Sequence, residues 1–322
     1  MDTFFCAQQS RQFGEDPIAN AGTWQTYVFV ECPTPWPTEA LNSKPIPENL
    51  RTLRQELQEN DDYIEFFLIY NEEIKRDDST RVIIYRQETG FAQGYYQYEF
   101  SVVNIDEVAP ATKTYLLDKS RDIYSLRPAT RDIFICTHGS RDKCCAKYGN
   151  PFYRKAKTIV NDLSLSNVRV WQCSHFGGHR FAPTAIDFPS GRYYARLDET
   201  SFTSILKCTG NLDFLKNVYR GWGILPMTAQ VLEREMIFRY GWEWFKYKVA
   251  CRVINQSDNE EFSRIELSFI NPDSNLMSVE ADVVIDDSKT LNLIGHCGGE
   301  KAELVSQFRV ENLSINTKLI HC

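Results

Sequence analysis

The stretch VRVWQCSHFGGHRFAP, residues 168–183, sets an apolar run against a loop of histidine and glycine. VRVWQ is short, rich in β-branched and aromatic residues, and reads as a strand. His175 and His179 follow its carboxyl end, four apart, with Gly177 and Gly178 between them. Two histidines at that spacing can share a metal where the backbone turns suitably. They can equally be one packed residue and one surface residue. The choice depends on whether another segment supplies matching ligands.

Working outward, the same order of elements recurs upstream. DIFIC, residues 132–136, is a short buried strand that ends at Cys136. The loop THGSRDKCCAKYGN follows, then PFYRKAKTIVNDL, a helix with proline at its start. Downstream, GRYYARLD reads as a strand and ETSFTSILK as a helix. Strands alternating with helices imply an open α/β sheet, whose sites gather in loops beyond the carboxyl ends of strands. Cys136 and the His175–His179 pair both occupy such ends.

The flanking regions differ in pattern. Before this unit, WQTYVFVE, YIEFFLIY, RVIIYRQ and GYYQYEFSVV read as strands. Between the first two, ENLRTLRQELQEN places Leu50, Leu53 and Leu57 on one helical face. CPTPWPTEA is a proline-punctuated turn leaving the first strand. A polar stretch, DEVAPATKTYLLDKSRDIYSLRPATR, puts a boundary near residues 112–130. After the unit, PMTAQVLEREMIFRYG is a helix, and YKVACRVI, FSRIELSFI, SVEADVVI, QFRVEN and LSINTKL are strands. Alternation in FSRIELSFI and SVEADVVI implies half-exposed antiparallel pairing. No sequence repeat is visible. The expected class is α+β: an N-terminal α/β region at 1–125, a central α/β domain at 126–225 and a strand-rich C-terminal region at 226–322.

Composition narrows the function. The chain has 322 residues, 43% hydrophobic and 25% charged, within the globular range. No apolar run approaches the ~20 residues that cross a bilayer, and the N-terminus lacks a secretory pattern. A net charge of −7, with no clustered basic stripe, argues against a nucleic-acid partner. A cytoplasmic protein is expected, with an acidic surface that can attract a basic redox partner.

Ten cysteines are the unusual count. Without an export signal, metal or redox use outweighs a disulfide scaffold. No C-x-x-C occurs, which counts against a thioredoxin-type dithiol. Cys6, Cys32, Cys208 and Cys251 read as small buried hydrophobes. Cys136 and Cys145 flank eight residues; twenty-nine more lead to His175 and His179. Two thiolates and two imidazoles suit either Zn²⁺ or an iron–sulfur cluster. A zinc finger usually brings its first cysteine pair within two to four residues, so the wider loop suits the larger footprint of two irons. The glycines let backbone approach an inorganic centre. On spacing alone, a site and a set of tight turns both stand open.

CTHGSRDKCCAKYGNPFYRKA and VWQCSHFGGHRFAPTAIDFPSGRYYARLD resemble the sucrase/ferredoxin-like family, and GTWQTYVFVECPTPWPTEAL is similar to its N-terminal strand and Pro-Trp turn. The resemblance covers about the first two thirds of the chain. It implies a thioredoxin-like domain with a 2Fe–2S cluster, held through Cys136, Cys145, His175 and His179, and one-electron transfer to partner proteins. It also allows a homodimer. A structural Zn²⁺ on the same four ligands is the alternative. Hydrolysis, which the word sucrase invites, needs two flanking carboxyl groups, and G-x-S-x-G, H-E-x-x-H and the P-loop are absent.

Neighbouring residues have expected places too. Cys173 and His175 echo half of a Rieske motif, but a Rieske centre needs a second such pair, and His296–Cys297 has the wrong spacing. Cys173 is expected in the core, and Cys144 outside the ligand set. His138 is a donor behind a ligand, and Arg180 and an Arg141–Asp142 pair hold the loops, face the cluster or form a plain surface ion pair. His321 and Cys322 are expected to be frayed.

Overall fold

The computed structural model describes residues 4–60, 63–74, 78–117, 130–259 and 261–317. His321 and Cys322 lie outside them, as does 118–129 of the polar stretch read as a boundary. After helix α1 (Cys6–Gln12) comes a first unit. It contains β1 (Thr26–Glu31), α2 (Glu48–Glu59), β2 (Ile64–Tyr70), β3 (Thr80–Gln87), β4 (Tyr95–Val102) and α3 (Val108–Leu117). A second unit runs through β5 (Arg131–Cys136), α4 (Asn150–Asp162), β6 (Val168–Cys173), β7 (Ala185–Phe188), β8 (Arg192–Tyr194) and α5 (Glu199–Lys207).

The two units repeat a topology that the sequence conceals. In each, the first strand pairs parallel with the second and antiparallel with the third, and the fourth pairs antiparallel with the third. With β9 (Tyr219–Trp222) they form one nine-stranded sheet in the order β4-β3-β1-β2-β6-β5-β7-β8-β9. The units join where β2 meets β6 antiparallel, through Ile69 opposite Cys173 and Tyr70 opposite Gln172. The sheet is therefore mixed, with β5 parallel to β6 and antiparallel to β7.

Strand periodicity explains how the halves pack. Alternate side chains along β1 point to opposite faces. Val28 and Val30 join Leu50 and Leu53 of α2 and Val108 of α3 in one buried cluster. Tyr27 and Phe29 point the other way, where Phe29 stacks on Phe134 of β5 with ring centroids 3.9 Å apart. Tyr85 of β3 stacks likewise on Phe188 of β7 at 4.1 Å. Strands far apart in the sheet order thus touch, so the sheet folds over its short central joint. Buried Asp132 pins this closure: it accepts from Tyr85 and Gln97 of the first unit and from Arg169 and Trp171 of the second. A buried carboxylate with that many donors avoids most of its desolvation cost.

The C-terminal part continues from α6 (Leu215–Val218) through α7 (Met227–Tyr240) to β10 (Lys248–Gln256), β11 (Phe262–Ile270) and β12 (Leu276–Ile285). β13 (Leu291–Ile294) and β14 (Ala302–Val305) form a hairpin before β15 (Phe308–Thr317). β10, β11, β12 and β15 make an antiparallel sheet that packs on α7. β11 and β12 pair antiparallel as expected, but neither has an exposed face: half-buried and buried positions alternate in much of β11, and β12 is buried in runs. QFRVEN and LSINTKL, expected as separate strands, form the single β15, whose pairing slips opposite Glu280 and Asp282. α7 is fixed to the large sheet by a fully buried ion pair, Arg192 to Glu233 at 2.7 Å, which Trp244 also joins. No helix among the described residues is long and apolar enough to cross a membrane.

Candidate metal centre

Two loops at the carboxyl ends of β5 and β6 build the site. β5 ends at Cys136, and Cys145 opens a π-helical turn, Cys145–Gly149, that runs straight into α4. Such turns recur at functional sites. Gly149 makes this junction possible: a Cβ there would lie 2.0 Å from the Cys136 carbonyl oxygen. The second loop leaves β6 after Cys173, and Gly177 and Gly178 take positive φ of 86° and 75°. At Gly178 a Cβ would also sit 2.5 Å from the Arg220 guanidinium. The glycines reserved for a close approach in the sequence therefore serve backbone and arginine packing here.

Cys136, Cys145 and His175 come together as one potential metal-ligand group. His175 Nδ1 lies 3.7 Å from Cys136 Sγ and 3.5 Å from Cys145 Sγ. His179 stands beside them, its Nδ1 3.5 Å from His175 Nε2. Three of the four expected ligands thus form one group, and His179 adjoins it only through the far nitrogen of His175. His179 Nε2 donates to the Gly295 carbonyl at 2.8 Å, so the β13–β14 loop orients this imidazole.

The electrostatics favour one thiolate in the pair. Burial raises the Cys136 pKa, but hydrogen bonds from Cys145 and His175 outweigh it and hold the thiol well below its ordinary value. Cys145 is pushed well above its ordinary value, first by that hydrogen bond to Cys136 and then by burial. Burial lowers the pKa of His179, which favours the neutral imidazole that binds metals. Arg220, buried and with no ion pair within 4.0 Å among the described residues, is lowered to about 10 by burial. It donates to the Gly177 and Asn20 carbonyls.

The neighbouring residues fall out differently from one another. Cys173 is fully buried core and is pushed well above its ordinary pKa by burial. His138 stands behind the site, but toward His175 it accepts rather than donates: its Nε2 donates to Pro37 O at 2.7 Å and its Nδ1 accepts from the His175 backbone N–H at 3.2 Å. Arg141 and Asp142 do not pair. Arg141 reaches Glu39 on the surface, whereas Asp142 turns inward to Cys144 and Cys297. Arg180 binds Glu15 at 2.6 Å. Of the four cysteines expected as buried hydrophobes, Cys32 is one, Cys251 is half-buried and Cys208 is exposed. Cys6 is buried, but against the sulfurs of Cys144 and Cys297. Among the described residues no cysteine forms a disulfide.

An open cavity of about 830 Å³ borders the site, with His138, His175, Gly177 and Arg220 in its wall. His175 faces it; His179 does not.

The family described as sucrase/ferredoxin-like matches residues 17–221, which include all four candidate ligands. Altered inheritance of mitochondria protein 32 of Debaryomyces hansenii is 33% identical over 97 residues. The protein of the same name from Meyerozyma guilliermondii is 28% identical over 95 residues. Each alignment covers 28% of this chain and 34% of the relative, so the chain spans about a third of the curated relatives it matches. No solved structure matches.

Proposed function

This chain belongs to the sucrase/ferredoxin-like family, and we propose that it is a one-electron carrier whose 2Fe–2S cluster is held by Cys136, Cys145, His175 and His179. The observation that supports this reading is the convergence of Cys136, Cys145 and His175 from two loops, with His179 beside His175. The donor set fits the group chemically: two thiols on the buried side, two imidazoles on the other, and no competing carboxylate within that set. The strand order β6-β5-β7-β8, flanked by α4 and α5, is also the arrangement of a thioredoxin-like domain.

A bound cluster of this kind takes up and releases one electron. The chain's own residues do the rest. Cys136 and Cys145 would hold the group against the core, where burial limits water. His138 fixes the start of the histidine loop, and Gly295 fixes the outer nitrogen of His179. Arg220 sets a positive charge behind the loop. The cavity at His175 gives a partner protein a path to the imidazole edge. Free cysteines support a reducing compartment, and we place the protein in the cytoplasm. Recovery in mitochondria on cell fractionation would overturn that location.

One observation favours structural zinc on the same ligands. The separations of 3.5 and 3.7 Å between His175 Nδ1 and the two sulfurs are those of ligands sharing one ion. Seating two irons requires the histidine loop to stand further out. Anaerobic purification with visible absorption, iron and sulfide analysis separates the readings. Brown protein holding equal iron and acid-labile sulfide supports the cluster. Colourless protein with zinc at this site overturns it.

A further inference from the structure

We propose a second metal site in this protein: a structural Zn²⁺ bound by Cys6, Asp142, Cys144 and Cys297. The four residues come from α1, from the loop after β5 and from the β13–β14 loop. Cys6 and Cys297 lie outside the stretch shared with the family, residues 17–221. No sequence spacing reveals the set, because 136 residues separate Cys6 from Asp142 and 153 separate Cys144 from Cys297.

The geometry is that of one tetrahedral ion. The sulfurs stand 3.5 Å (Cys6 to Cys144), 3.6 Å (Cys6 to Cys297) and 3.2 Å (Cys144 to Cys297) apart. Asp142 Oδ1 lies 3.1 Å from Cys297 Sγ and 4.0 Å from Cys6 Sγ. At the usual Zn–S and Zn–O lengths, tetrahedral edges are about 3.8 Å between sulfurs and about 3.5 Å from sulfur to oxygen. The three sulfur edges fall 0.2–0.6 Å short of that value, and the two sulfur–oxygen edges lie either side of theirs. Every one is too long for a disulfide.

The surroundings offer one of the sulfurs a backbone donor. The Ala7 backbone N–H points at Cys144 Sγ at 3.4 Å. Asp142 is held below its ordinary pKa, because backbone N–H groups of Cys297 and Cys144 outweigh its burial. With those donors in place the carboxylate is already turned toward the sulfurs. Four protein ligands leave no open position, which marks a structural rather than a catalytic zinc. Binding releases the three thiol protons and changes no oxidation state.

The site would tie three remote segments together beside the first centre. Asp142 Oδ2 stands 4.0 Å from His179 Nε2, and Gly295, two residues before Cys297, accepts from that same nitrogen. Zinc on Cys297 therefore fixes the loop that orients His179.

Metal analysis and zinc K-edge absorption of the full chain test the proposal, alongside Cys6→Ser and Cys297→Ser. The expected zinc shell is three sulfurs and one oxygen, and each variant loses one equivalent of zinc while iron per chain stays constant. A shell of two sulfurs and two nitrogens, zinc unchanged in both variants, or a mass showing a Cys144–Cys297 disulfide would overturn it. Should the variants not fold, the shell of the unmodified chain decides alone. Colourless protein with the three-sulfur shell intact would sink the cluster reading and leave this one standing.

Discussion

His138 Nδ1 accepts the backbone N–H of His175 at 3.2 Å, while its Nε2 donates to Pro37 O at 2.7 Å. The ring thus bridges the turn after β1 and the histidine loop, and it does so as a neutral imidazole. Burial holds its pKa below the ordinary value. Unfolded, the same ring takes a proton near its ordinary pKa of about 6.5. Its contribution to stability is therefore complete above about 6.5 and is lost as pH falls through the lower folded value. Urea midpoints should fall as pH drops from about 7.5 to about 5. His138→Gln should flatten that dependence. An unchanged pH dependence in the variant contradicts the neutral-bridge assignment.

The four ligands and their buried neighbour separate by substitution. Cys136→Ala, Cys145→Ala, His175→Ala and His179→Ala should each destroy or strongly alter the visible spectrum. Cys173→Ala should keep it and cost on the order of 1 kcal/mol, the loss of one small buried side chain. Cys144→Ala should also keep the spectrum. Bleaching by Cys173→Ala with retention in His179→Ala would mean a different ligand set.

Arg220 places a buried positive charge behind Gly177 and Gly178, with no carboxylate within 4.0 Å among the described residues. An electron added at the site puts a negative charge near that cation, which stabilises the reduced form. Arg220→Gln should lower the reduction potential by tens of millivolts, where ~59 mV is a tenfold change for one electron. Arg220→Lys should recover most of the difference. Equal potentials in all three proteins would assign Arg220 to loop packing alone.

Two neutral imidazoles in place of thiolates should make reduction easier than in an all-cysteine plant-type ferredoxin, near roughly −400 mV. His175 faces the cavity, so water reaches its ring. An added electron makes the outer nitrogen more basic, and reduction and protonation favour each other. The potential should fall as pH rises, by at most about 59 mV per unit, and flatten outside the window set by the two redox states. Potentiometry from mildly acidic to alkaline pH checks this, and a flat response near the all-cysteine value opposes it.

Much of this was legible in the chain because the signals were local. VRVWQ and DIFIC are dense in β-branched and aromatic residues, and ETSFTSILK carries its own helix cap through Asp198 and Ser201. Strand ends then located both ligand loops. β7 was hidden by Pro183 and Pro189 on either side of its four residues. The repeated topology was hidden because the two units share pairing order rather than residues. Cys6, Asp142 and Cys297 were illegible for a different reason: they meet only through tertiary packing of the chain's beginning, middle and end. Gly295 was missed likewise, since a backbone carbonyl leaves no mark in a sequence.

The most direct test of the central claim is pulsed electron paramagnetic resonance of the reduced protein. Two imidazoles bound to the reducible iron should give two strongly coupled nitrogens in a spectrum from a spin of one half. His175→Ala or His179→Ala should remove one coupling or the signal itself. A reduced protein with no such signal, or one whose signal lacks strongly coupled nitrogen, would contradict a cluster held by Cys136, Cys145, His175 and His179.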